Sequence, residues 1–238
     1  MNRHWFARAL MRYDTIGFLL CCSFFLIWPQ FDLQITQNFY DAEHGGFFLR
    51  NHPVTEAIYT LTHIAGAIIF IGLIASIITS FFVKNERLIK RKKHLVFLLS
   101  LCIFGPGLMV NLLFKDHWGR PRPRQVIEFG GDKQFEPPFA PSFSCSKCKS
   151  FVSGHSSVGF YFFGLALLAR DRRWLIAPAL AGALIGSVRM VQGAHFFSDV
   201  LFSGWVVWFC SILLYHWFFK PETSNTNKVI EPGFQPAE

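Results

Sequence analysis

Six apolar stretches occupy most of this 238-residue chain, and they restrict its fold more than any other feature of the sequence. Most of them approach the ~20 residues that a helix needs to cross the hydrocarbon core of a bilayer. Only 16% of the residues are charged, whereas soluble domains carry about a quarter. We therefore predict an all-α, polytopic membrane protein with six transmembrane helices, over residues 15–28, 58–83, 95–114, 152–169, 174–191 and 200–219.

Basic residues in the short loops predict how the chain is oriented. Residues 84–93 carry six basic side chains and residues 170–173 carry three. Loops rich in Lys and Arg stay in the cytoplasm, so we expect both termini to be cytoplasmic. Residues 1–220 then form a single integral-membrane domain, and the polar residues 221–238 form a disordered cytoplasmic tail. Three loops face the opposite side, over residues 29–57, 115–151 and about 192–199.

The loop over residues 115–151 departs from this charge pattern. It carries seven basic residues against four acidic ones on the side that the rule disfavours. The net charge of +8 could indicate a nucleic-acid partner, but the basic residues cluster in short loops between apolar runs. Because that arrangement is typical of membrane topology, we expect no nucleic acid and a functional reason for the positive charge of this loop.

Cys145 and Cys148 form a Cys-x-x-Cys pair in the same loop. Three interpretations are open: a local disulfide in an oxidising compartment, half of a zinc site, or two free thiols. The loops of the sequence contain no second thiol pair to complete a four-cysteine zinc site. The disulfide is therefore the favoured interpretation, as a covalent link close to the other polar residues.

Three polar stretches, over residues 115–123, 153–157 and 187–199, fall on the same predicted side of the membrane. The orientation rests on the basic loops of the opposite side alone, so the shared location of the three polar stretches is an independent observation. Lys115, Arg122 and Arg189 supply positive charge, and a planar guanidinium binds two phosphate oxygens at once.

The backbone of Ser153 and Gly154, at a predicted helix N-terminus, adds N–H donors and the positive end of a helix dipole. Together with the three cationic side chains, these groups predict a phosphate-binding site. Phosphoryl transfer is the chemistry that such a site supports.

Three further residues supply catalytic groups. If the last apolar helix begins at residue 195, His195 and Asp199 lie one turn apart on the same face. Asp199 then orients the imidazole, and neutral His195 attacks phosphorus as the nucleophile. His155 protonates the leaving alkoxide and afterwards activates water. Because two histidines in opposite roles complete the acid–base set, we expect neither a metal nor another cofactor.

The spacing of these residues resembles the three signature motifs of the type 2 phosphatidic acid phosphatase superfamily, which also includes vanadium haloperoxidases and acid phosphatases. The motifs are Lys, six residues, then Arg-Pro; Pro-Ser-Gly-His; and Ser-Arg, five residues, His, three residues, Asp. The matching residues are Lys115 with Arg122-Pro123, Ser153-Gly154-His155, and Arg189, His195 and Asp199. Val152 replaces the usual proline, and Val188 replaces the serine, with Ser187 one position away.

This resemblance implies a six-helix membrane fold, a phosphohistidine intermediate on His195, and lipid phosphates that approach from the outer leaflet of the inner membrane. The active site then faces the periplasm. Residues 145–155 are also similar to the lead-in of bacterial lipid A phosphatases, which makes lipid A the favoured substrate. Undecaprenyl pyrophosphate, phosphatidylglycerol phosphate, a lipid phosphotransferase reaction and a non-catalytic lipid-binding or transport role stay open as alternatives.

Overall fold

The computed structural model describes residues 3–82, 86–142, 145 and 148–219, so the predicted tail over residues 221–238 lies outside the described residues. The chain is mostly helical within these limits, as predicted. Its helices are α1 (Arg3–Ile27), α2 (Phe31–Gln37), α3 (Pro53–Phe82), α4 (Glu86–Cys102), α5 (Gly154–Phe160), α6 (Phe163–Ala169), α7 (Ile176–Val191) and α8 (Phe197–Phe219). A small antiparallel hairpin, β1 (Tyr40–Asp41) and β2 (Gly46–Phe47), lies between α2 and α3.

Helix α4 continues directly into a π-helix, Ile103–Lys115, which carries the chain to the first polar stretch. Pro106 lies inside this segment. A proline cannot donate the backbone hydrogen bond of a regular helix, so the ladder must rearrange around it. The side-chain amide of Asn111 donates to the Pro106 carbonyl at 2.7 Å and so satisfies part of that ladder. The sequence predicts a kink at Gly105-Pro106-Gly107. In the structure, the helix here has the wider turns of a π-helix.

Helix α8 lies at the centre of the bundle. Of an apolar stretch of 18 residues, 61% is buried in α8 but only 11% in α3. The apolar side chains of α3 are therefore available for contact with lipid. Phe202 and Val207 of α8 pack in one core cluster with Phe25 of α1, Phe160 of α5 and Met190 of α7. This packing holds the N-terminus of α8 against the loops that carry the polar stretches.

Among the described residues, four helical segments are long and apolar enough to cross a membrane. They are Pro53–Phe82, Ile89–Lys115, Arg172–Val191 and Phe197–Phe219. A fifth span is possible if Tyr13–Ile27 and Phe31–Gln37, bent by 82°, count as one. The remaining predicted segment corresponds to Gly154–Ala169, which is shorter and broken between α5 and α6. The chain is thus an all-α, multi-pass membrane protein, and the number of six spans stays a prediction.

Candidate active site

The first and second polar stretches meet at Gly154, the first residue of α5. A Cβ atom at this position would lie 2.6 Å from Oδ1 of Asn111 and 3.5 Å from Nζ of Lys115. Only glycine therefore leaves room for the end of the π-helix to approach. The close approach places the Lys115 ammonium beside the start of α5, where His155 is the next residue.

The second and third stretches meet through the backbone of Ser153. Its N–H donates to the Asp199 carbonyl at 3.0 Å, and its carbonyl accepts from Ser203 Oγ at 2.8 Å. The Ser153 side chain caps α5 by accepting from Oγ and the backbone N–H of Ser156. Because capping satisfies donors that a helix start leaves unpaired, Ser153 fixes the start of α5 against α8.

His195 lies in the loop between α7 and α8, because α8 begins at Phe197. The expectation of a helix from residue 195 is therefore wrong. Asp199 occupies the third position of α8, and its Oδ2 accepts the backbone N–H of Phe196 at 2.8 Å. A carboxylate at the third helical position that accepts the N–H of the residue before the helix caps its N-terminus, so the helix begins after that residue. His195 and Asp199 still come together, but through this cap and not through a shared helical face.

The loop before His195 needs a glycine. Gly193 has φ +64°, and a Cβ atom there would lie 2.4 Å from the Phe47 ring of β2. The Gly193 carbonyl accepts the backbone N–H of Arg124 at 3.1 Å, which binds the segment after Arg122 to the same loop. Arg122 itself is half-buried at the start of the short turn Pro123–Gln125. The first and third polar stretches are therefore adjacent too, joined by this backbone hydrogen bond.

The His195 ring is 2% exposed, and its Nδ1 lies 3.5 Å from Oδ2 of Asp199. That distance is at the outer limit of a hydrogen bond, and no residue in the described part of the chain makes a well-formed hydrogen bond with this nitrogen. Burial lowers the pKa of His195 to about 4, although Asp199 acts to raise it. The imidazole is therefore neutral near pH 7, the form that can act as a nucleophile.

Arg189, at the end of α7, and His155 both contact Tyr59 of α3. The Arg189 guanidinium lies 4.6 Å from the Tyr59 ring centroid, and the His155 ring stacks on Tyr59 at 4.5 Å. Arg189 donates to Gln192, whose amide donates to Glu56 at 2.9 Å. Nε of Arg189 and Nε2 of His155 are buried, and neither has a hydrogen-bond partner among the residues that the structure describes. Buried donors of this kind suit a phosphate oxygen.

The structure adds Arg120, a residue of the first stretch to which the motif spacing gives no role. Its side chain is fully buried and bridges Asp199, at 2.5 Å, and Asp32 of α2, at 2.8 Å. Asp32 in turn accepts from the backbone N–H and the hydroxyl of Ser198. Asp199 also accepts from Ser150 Oγ at 2.5 Å. The sequence places Arg120 among several arginines and Asp32 in a polar loop, so no local signal distinguishes either one.

Two minor expectations concern the surroundings of the site. Ser187 is exposed and donates to the Ala183 carbonyl of its own helix, so it does not replace the serine missing at Val188. Cys145 and Cys148 form a disulfide in the loop that leads to Ser150. Across the described ranges, no cluster of three or more His, Cys, Asp or Glu residues has the geometry to hold a metal ion.

The predicted residues thus lie around one centre at one end of the bundle, with Lys115 and Gly154 on one side and His195 and Asp199 on the other. Comparison with known proteins decides the family. The sequence profile of the PAP2 superfamily matches residues 93–222, which include all three stretches. The chain belongs to the PAP2 superfamily. It is a membrane lipid phosphatase that hydrolyses phosphate monoesters, and the resemblance seen in the motif spacing is confirmed.

The chain is also similar in sequence to several characterised proteins, over more than the motifs. A lipid A 4′-phosphatase of Francisella tularensis subsp. novicida is 38% identical, and the match covers 87% of this chain and 96% of the relative. A lipid A 4′-phosphatase of Rhizobium leguminosarum is also 38% identical, over 49% of this chain and 51% of the relative. A lipid A 1-phosphatase of Rhizobium etli is 36% identical over 46% and 45%. No solved structure matches the chain significantly.

Proposed function

We propose that this phosphatase removes a phosphate group from lipid A, with the 4′-phosphate as the preferred position. The observation that carries the proposal is that Lys115, Arg189 and His195 all lie near enough to His155 to act on it electrostatically, in a chain with this family membership. The relative that matches over 87% of the chain is named a lipid A 4′-phosphatase, whereas the match to the 1-phosphatase covers 46%. The longer similarity is the reason for preferring the 4′ position.

In the proposed first step, Nε2 of His195 attacks phosphorus while the ester oxygen leaves. The N–P bond forms as the P–O bond to the lipid breaks, and the imidazole ring gains positive charge. Asp199 faces the opposite nitrogen at 3.5 Å, where its charge stabilises that ring. His155 donates its proton to the leaving oxygen. The negative charges of the bound phosphate monoester favour the protonated form of His155 before that transfer.

In the second step, His155 accepts a proton from water, whose oxygen attacks phosphorus and breaks the N–P bond. Inorganic phosphate leaves, and both histidines return to their starting forms. Lys115, Arg122 and Arg189 hold the phosphate oxygens in both steps, and the backbone of Ser153 and Gly154 adds a polar contact. Proton transfer between the two histidines and the substrate balances without a metal or other cofactor.

Purified protein in lipid vesicles tests the substrate. We expect inorganic phosphate to be released from lipid A, and mass spectrometry of the product to show loss of the 4′-phosphate. Faster release from undecaprenyl pyrophosphate or phosphatidylglycerol phosphate would contradict the lipid A assignment. Appearance of the phosphate on a second lipid in place of free phosphate would identify a phosphotransferase.

Arg189→Lys tests the phosphate-binding role of the guanidinium. We expect kcat/KM to fall about 100-fold although the charge is kept, because lysine cannot form the two parallel hydrogen bonds of a guanidinium. The measurement is steady-state hydrolysis of lipid A, with Arg50→Lys as the control at an exposed arginine of the same side. Wild-type kinetics for Arg189→Lys would remove this residue from the phosphate site.

We further propose that all six apolar segments span the inner membrane, that residues 1–220 form one domain, and that the active site faces the periplasm. The charge of the predicted cytoplasmic loops supports this orientation. A cysteine introduced at position 90 should react with a membrane-impermeant thiol reagent only after cells are permeabilised. A cysteine at position 132 should react in cells whose inner membrane is intact. The reverse labelling pattern would invert the topology.

A further inference from the structure

Three buried charges lie behind the proposed nucleophile. Arg120, Asp32 and Asp199 are each 0% exposed. NH1 of Arg120 contacts Asp199 at 2.5 Å, and NH2 contacts Asp32 at 2.8 Å. The Arg120 Nε also donates to the Glu136 carbonyl at 2.9 Å, which fixes the guanidinium plane between the two carboxylates.

Both oxygens of Asp32 accept from groups that only donate. Oδ1 accepts the Ser198 backbone N–H at 2.9 Å, and Oδ2 accepts Arg120. The Ser198 N–H belongs to the first turn of α8, so the positive end of the α8 dipole also faces this carboxylate. Burial, and the neighbouring Asp199, raise the pKa of Asp32, whereas Arg120 and Ser198 oppose this rise. The donor-only contacts of both oxygens are thus the groups that hold the carboxyl in its ionised form.

The charge count of this trio has a consequence for His195. Without Asp32, the positive charge of Arg120 would cancel that of Asp199, 2.5 Å away. The neutralised pair would exert a weaker field on the imidazole, which lies 3.5 Å from the same carboxylate, than a pair with excess negative charge. With Asp32 present, two carboxylates share one guanidinium, and one negative charge is left beside the ring.

We propose that Asp32 is a positioning residue for the phosphatase reaction: as the counter-ion of Arg120, it leaves the charge of Asp199 available to stabilise His195 when the ring becomes positive. This inference rests on the proposed role of His195 as nucleophile. Asp32 belongs to α2, outside residues 93–222 that match the family profile. The bend of 82° between α1 and α2 brings α2 beneath the N-terminus of α8 and places Asp32 there.

Asp32→Asn keeps the shape of the side chain and removes one charge. We expect kcat for lipid A hydrolysis to fall about 10- to 100-fold, because the loss of one negative charge weakens the stabilisation of the positive His195 ring at an intermediate dielectric constant. KM should stay within about twofold of wild type. The double variant Asp32→Asn with Arg120→Gln removes the guanidinium charge as well and returns the net charge of the trio to minus one. The kcat of the double variant should therefore be higher than that of Asp32→Asn alone, because the second substitution restores the net charge although it removes a further contact.

Two controls separate charge from packing. Ser198→Ala removes the hydroxyl that accepts from Arg120 and donates to Asp32, but it leaves the net charge of the trio unchanged. It should therefore lower kcat less than Asp32→Asn does. Asp41→Asn, at a half-buried acid of the hairpin that pairs with His44, should leave kcat unchanged. Thermal unfolding of each purified variant verifies that it is folded.

The proposal is overturned if Asp32→Asn has wild-type kcat, if the double variant is slower than the single one, or if neither folds. In each of those cases Asp32 has only a structural role or none. Activity of His195→Ala near the wild-type level would instead reject the nucleophile itself, so the two failures are distinguishable.

Discussion

Replacing His195 with alanine is expected to lower kcat for lipid A hydrolysis by about 10⁴-fold or more, since removal of a covalent nucleophile leaves only binding and charge stabilisation. KM should change little, because Arg189 and Lys115 still bind the phosphate. The phosphorylated enzyme that acid quenching traps in the wild type should be missing from the variant. Steady-state kinetics and phosphate labelling of the purified protein measure both effects.

His52→Ala is the matched control, because His52 is an exposed histidine of the same predicted side, before α3. We expect it to keep wild-type kcat. More than about 1% of wild-type kcat in His195→Ala would contradict the nucleophile assignment, since such a loss corresponds to less than about 3 kcal/mol of the activation free energy.

The pH dependence of the wild type provides a second check on the same residue. Burial lowers the pKa of His195 to about 4, so the reactive neutral form is populated above that pH and lost below it. The limb of kcat/KM that reports this group should therefore fall as the pH decreases through about 4, and no loss due to this group is expected near the ordinary histidine pKa of about 6.5.

Arg120→Met is expected to have the largest effect on folding. Loss of the Arg120 guanidinium would leave Asp32 and Asp199, both 0% exposed, without their shared counter-ion. Breaking a buried ion pair by removing one partner costs about 3–5 kcal/mol of the free energy of unfolding, because the remaining charge stays buried and uncompensated. Thermal unfolding of the purified protein in detergent should show a correspondingly lower Tm, with loss of activity at temperatures where the wild type is folded.

Arg124→Met is the control for this variant, because Arg124 is half-buried in the same segment. Burial, and after it the neighbouring Arg122 and Arg50, lower the pKa of Arg124, so its charge is not compensated as that of Arg120 is. We expect its removal to change the free energy of unfolding by less than about 1 kcal/mol. Equal destabilisation by the two variants would show that the Arg120 network carries no special stability.

The sequence alone was enough to predict the class of the protein, which the family match confirms, and to propose the residues of the site, which stay a prediction. Apolar segments of spanning length predict a helical membrane protein because the bilayer core excludes unpaired backbone groups. The spacing of Lys115, Arg122, His155, Arg189 and His195 predicted phosphate chemistry, because cations and imidazoles at those intervals match a family pattern. These inferences use information that is local along the chain, so no tertiary structure was needed for them.

The tertiary structure decided how the loop that carries His195 is held. The spacing of His195 and Asp199 suggests that both lie in one helix, whereas α8 begins at Phe197, is capped by Asp199 and leaves His195 in the loop before it. Helical periodicity could not reveal this, because the cap depends on which N–H groups the fold leaves unpaired.

Only the tertiary structure paired Arg120 with Asp199 and with Asp32. These partners are 79 and 88 residues from Arg120 along the sequence, and Asp32 is 166 residues from Ser198, whose N–H it accepts. Hydropathy and motif spacing carry no information about contacts at such separations. A buried charge must find its counter-ion wherever the packed helices bring one, because leaving it unpaired in an apolar interior costs about 3–5 kcal/mol, a large part of the stability of an ordinary fold.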